Sequence, residues 1–154
     1  MKSAYRVIAY VIAAEVVVQA AMIAYAVAGL GIWVDQDGGV LDKAAFESDL
    51  DFPGVVGFMV HGMNGMMLIP LIAVVFLIVS FFAKVPGGVK WAGFVLLAVV
   101  AQVTLGLFGH EDAIFGMLHG INALLVFSLA VMAGKRVSSA TSETSETPAH
   151  QAMA

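Results

Sequence analysis

The chain has 154 residues, 61% of them hydrophobic and 12% charged, with a net charge of −4. A soluble domain is nearer about one half apolar and about one quarter charged, so the surplus needs lipid to cover it, and the acidic balance offers no basic footprint to nucleic acid. Without cysteine, disulfides, iron–sulfur clusters and thiolate sites are excluded, which leaves four histidines, nine methionines and the carboxylates as metal ligands.

Residues 7–33 form the first long apolar stretch, interrupted only by Glu15 and Gln19. It exceeds the roughly 20 residues a helix needs to cross the hydrocarbon layer. Lys2 and Arg6 imitate the start of a secretory signal, with Ala24-Tyr25-Ala26 or Ala26-Val27-Ala28 as the cut. The length of the run and the carboxylate of Glu15 inside it argue for a retained span instead. Asp35 to Asp51 is acidic, with six carboxylates against Lys43. Asp37-Gly38-Gly39 reads as a turn, and Leu41 to Leu50 as a short interfacial helix with Asp42 near its start.

Residues 55–83 form the second span, entered past Pro53-Gly54. A kink is expected at Pro70, which lacks a backbone donor. Lys84 to Lys90 is a tight basic turn, and residues 91–109 form the third span with Trp91 as an interfacial anchor. His110-Glu111-Asp112 is a short acidic turn. The fourth span is 113–134, closed by Lys135-Arg136. The tail, 137–154, is dominated by Ser, Thr, Glu, Ala and Pro and is expected to be disordered in the cytoplasm.

Lys2, Arg6, Lys84, Lys90, Lys135 and Arg136 fall on one side of these spans and the acidic loops on the other. Positive-inside bias places both termini in the cytoplasm, with the chain multi-pass in a cell inner or plasma membrane. The expected fold is all-α integral membrane. Residues 1–136 make an up-down-up-down four-transmembrane-helix bundle with a two-fold internal repeat.

The repeat is clearest around two histidines. His61-Gly62-x-Asn64-Gly65 matches His119-Gly120-x-Asn122-Ala123, and Gln19 precedes the first motif as Gln102 precedes the second. An ionisable side chain inside a span is costly and points to function. Each histidine follows the start of its span by six residues, about 9 Å of helix, so the two imidazoles are expected at matched depth. Two such imidazoles are the axial ligand set of a haem b. Gly65, Gly106 and neighbouring small residues would make room for the macrocycle, and Asn64 and Asn122 would bond the ring or a backbone carbonyl. Each piece also has a plain reading. Small residues pack helices closely, an Asn in a span bonds across helices, and a lone histidine is more often structural. The matched pair favours the ligand role.

The runs Gln102-x-x-Leu105-Gly106 and Leu118-His119-Gly120-x-x-Ala123 resemble the haem-binding four-helix halves of haem A synthases and, more loosely, small bis-histidine membrane b-type cytochromes. The resemblance covers residues 55–133. It implies a helical membrane fold in which His61 and His119 hold haem b. Haem A synthases have twice as many spans, and this chain lacks their outer-loop glutamate and histidine arrangement, so synthase activity does not transfer.

Haem propionates want cationic or hydrogen-bonding partners, and the outer side offers only Lys43, His110, Trp33 and Gln19. Copper is the second metal reading, because Met59, Met63, Met66, Met67 and Met117 accompany the histidines and thioethers suit Cu(I). Methionine is equally an apolar filler. Glu15 and Gln19 share a helix face and suit a proton path, a quinone headgroup or a polar helix contact. The expectation is a haem b protein for electron transfer or haem carriage, a redox carrier more than a stand-alone enzyme, working with the bilayer, other membrane subunits or a second copy. The rival is a cofactor-free accessory subunit of a transporter or respiratory complex.

Overall fold

The computed structural model describes the backbone of residues 1–46 and 50–151, with side chains as far as Val137 apart from 43 and 46. The described residues are helical with short connections. In chain order they are α1 (Lys2–Gln36), α2 (Lys43–Phe46), α3 (Val56–Met63), a π-helical turn (Asn64–Leu68), α4 (Ile69–Ala83), α5 (Gly88–Phe108) and α6 (Ala113–Gln151). Four stretches are long and apolar enough to cross a membrane: Lys2–Gln36, Val56–Ala83, Gly88–Phe108 and Ala113–Val137.

These bounds differ from the sequence expectation at α1, at α2 and at α5, which begins at Gly88, inside the basic turn expected over Lys84 to Lys90. The first helix begins at Lys2 and runs to Gln36, several residues beyond the apolar stretch at either end. The interfacial helix shrinks to Lys43–Phe46, with the Asp42 carboxylate accepting the Ala45 backbone N–H at 2.9 Å as an N-cap; residues 47–49 lie outside the described backbone. The last helix is α6, Ala113–Gln151.

The chain divides into two compact units. One joins Met1–Val16 to everything from Ile69 onward. Its core runs at three- and four-residue spacing along each helix: Tyr5, Ala9 and Ile12; Ile69, Ala73 and Phe76; Ala92, Val95 and Val99; Val126, Ala130 and Ala133. Many of these are alanines, which let helix backbones approach closely. At one end Tyr5 donates its hydroxyl to the Gly88 carbonyl at 3.1 Å. Lys84 and Gly87 take left-handed conformations there, φ 52° and 68°, which turn the chain sharply from α4 into α5. The Arg136 guanidinium sits 4.8 Å over the Trp91 ring.

The other unit is Val17–Leu68. Here the chain from Phe52 onward runs back along α1. Phe52 stacks on Trp33, and a Cβ on Gly29 would collide with the Pro53 carbonyl. A Cβ on Gly57 would collide with the Met22 carbonyl. Side chains at these glycines would push the two segments apart. Their absence sets the separation at which the next turn, carrying His61, meets α1.

Large apolar side chains also face outward. Phe81, Phe82, Leu97 and Leu124 are each more than 60% exposed. In water that pattern would be an aggregation hazard.

Candidate functional site

His61 is half-buried near the end of α3, and its Nδ1 lies 3.1 Å from the backbone carbonyl oxygen of Gln19 on α1. His119 is half-buried on α6, and its Nδ1 lies 2.9 Å from the backbone carbonyl oxygen of Gln102 on α5. A carbonyl can only accept, so in both rings Nδ1 carries a hydrogen. A helical carbonyl can serve here because it has two lone pairs and the helix uses one. Each unit therefore orients one imidazole by the same device.

Around His119 the device is reinforced. Asn122, one turn on, donates Nδ2 to the Ala98 carbonyl at 2.9 Å and to Gln102 Oε1 at 2.7 Å. The Gln102 side chain is thus tied to α6 next to the carbonyl that orients the ring. Gly106, one turn after Gln102, faces the ring itself: a Cβ there would lie 3.1 Å from both Cε1 and Nδ1 of His119. Its missing side chain makes space for the histidine, where the sequence suggested space for a macrocycle. Asp112 caps the start of α6, accepting the Ile114 N–H at 2.8 Å, and so fixes where the helix that carries His119 begins.

Around His61 the same residue types are arranged differently. Asn64, half-buried, opens the π turn. Gly65 faces Gln19, where a Cβ would stand 3.1 Å from Oε1. Gln19 is 8% exposed, and its Nε2 is buried without a hydrogen-bond partner. Pro70 is the second residue of α4, one residue past the π turn. The wider turn absorbs the residue whose ring would otherwise strike the carbonyl four positions earlier.

Other candidate residues stand apart. Met59, Met63, Met66, Met67 and Met117 are each more than half exposed, so their thioethers face outward, away from the half-buried histidines. His110 is exposed in the turn before α6, and the side chain of His150 lies outside the described residues. Glu15 is half-buried one turn before Gln19. Among the described residues no three histidine or carboxylate side chains gather as a metal-binding group. Sequence reasoning singled out Gln19 and Gln102 as counterparts in the repeat without assigning their backbone a role. The atoms that meet the histidines are their main-chain oxygens, for which no side-chain pattern is a signal.

No family model, no curated protein and no solved structure matches the chain. Its function has to be read from its own residues.

Proposed function

We propose that this chain is a four-span, up-down-up-down membrane protein with both termini in the cytoplasm, which binds haem b through His61 and His119 and serves as a one-electron or haem carrier within a larger membrane system. The observation that carries the reading is the doubled contact between an imidazole Nδ1 and a glutamine backbone carbonyl. A metal-ligating histidine characteristically gives its other ring hydrogen to a carbonyl or carboxylate, which fixes the tautomer and raises the basicity of the ligating nitrogen. Both histidines meet that requirement, so the donor set fits haem iron. Haem needs only two protein ligands because the macrocycle supplies the rest, so a larger cluster of protein ligands is not required. Bound haem would supply a reversible ferric–ferrous couple. The chain's own part would be to orient each imidazole through its Nδ1 hydrogen, in surroundings whose apolarity bears on the iron's potential.

The membrane setting rests on the four long apolar helices and on the exposed Phe and Leu side chains. Lipid covers such residues at no cost, and water does not.

The test is spectroscopic. Full-length protein expressed with added haem should purify red, with a Soret band that moves on reduction. His61→Ala and His119→Ala should each lose that low-spin spectrum while still partitioning into membranes. A colourless wild type would favour the cofactor-free accessory subunit, and an unchanged spectrum in both variants would remove the ligand assignment.

A further inference from the structure

The two glutamines of the repeat have the same backbone role. The Gln19 side chain is 8% exposed, yet its Nε2 has no acceptor. A buried amide donor without a partner pays its full desolvation cost with nothing in return. That unmet donor lies next to a π-helical turn, a feature frequent at functional sites.

We propose that Gln19 Nε2 is the hydrogen-bond donor of a binding site for a neutral, lipid-soluble carbonyl ligand, of the chemical class of an isoprenoid quinone headgroup. Three features choose the class. First, the ligand must present an acceptor, because an amide nitrogen only donates. Second, it must be uncharged. From Val17 to Leu68 the sequence holds one lysine, Lys43, against six carboxylates, so an anionic ligand would find little compensation. Third, it must enter from lipid, because Gln19 lies within a helix long and apolar enough to cross a membrane. Gly65 keeps a side chain away from the amide, since even a Cβ there would come within 3.1 Å of Oε1. Exposed Met63, Met66 and Met67 on the same stretch offer adaptable apolar surface to an isoprenoid tail. The site does not depend on haem being bound at His61.

The experiment compares wild-type and Gln19→Leu full-length protein in nanodiscs of one lipid composition, titrated with a short-chain ubiquinone and, separately, with an isoprenoid hydrocarbon of the same tail, which has no acceptor. Thermal midpoint and tryptophan quenching report binding. Wild type should be stabilised by the quinone and not by the hydrocarbon. Gln19→Leu should bind the quinone at least about tenfold more weakly. Its ligand-free midpoint should be equal to or above that of wild type, because an unmet donor has been removed. Equal quinone affinity in the two proteins, or equal response to the hydrocarbon, overturns the proposal. So does a lower ligand-free midpoint in the variant, which would mean that the amide has an internal partner. A haem spectrum altered in Gln19→Leu with no quinone response in either protein would assign the amide to a haem propionate, and the quinone site would be lost. The presence or absence of a Soret band in wild type reports on the haem reading alone.

Discussion

Gly106 and Gly120 make a controlled pair at the level of single residues. Both are helical glycines near His119. A Cβ on Gly106 would stand 3.1 Å from two ring atoms, while one on Gly120 would meet nothing within 4 Å. Gly106→Ala should therefore displace the imidazole by a few tenths of an ångström and weaken its bond to the Gln102 carbonyl. The expected result is poorer haem retention and a shifted reduced spectrum. Gly120→Ala should leave the spectrum intact and, by removing a flexible residue from a helix, raise stability by up to about 1 kcal/mol. At this scale the sequence was informative about identity more than about contact. His61, His119, Asn122 and Gly106 stood out because polar and small residues are conspicuous in an apolar run. Which atoms they touch was not legible. Nδ1 seeks any well-placed acceptor, and a main-chain oxygen is present at every position.

Helices were legible wherever a long apolar run is bounded by charge, and less so where local geometry decides. The π turn at Asn64–Leu68 has no compositional mark of its own; Pro70 hints at a disturbance without saying that it takes this form. Caps are an intermediate case. Asp112 accepts the Ile114 N–H at 2.8 Å, and aspartate just ahead of an apolar run is a readable start signal. Asp112→Ala should cost about 1 kcal/mol and fray the first turn of α6. Thermal unfolding followed by circular dichroism would show the lowered midpoint, and Asp112→Asn should recover most of it, because an amide oxygen can accept the same bond.

For the chain as a whole, the decisive fact is that its large side chains do not all turn inward. Leu97 and Leu124, at 67% and 69% exposed, lie on helices long enough to cross a membrane. Protein expressed in cells should stay with the membrane pellet through alkaline carbonate extraction; release into the supernatant would contradict the bilayer setting. Composition alone carried this level of the reading, because 61% hydrophobic residues cannot be hidden in a chain of 154. Orientation is equally open to test. The chain has no cysteine, so single cysteines placed at Asp37 and at Lys90 give clean labelling sites. An impermeant thiol reagent added to intact cells should reach the first and not the second.

The acceptor that holds each histidine belongs to the polypeptide itself, at Gln19 and at Gln102. Substitution can alter every side chain along α1 and α5 without deleting those oxygens. A survey of side-chain variants at Gln19 and Gln102 themselves would therefore pass over the two acceptors on which the proposed chemistry depends. The acceptors are instead vulnerable to changes in spacing. One residue added to α5 between its buried turns and Gln102 would swing that carbonyl by about 100° around the helix, away from the ring it steadies.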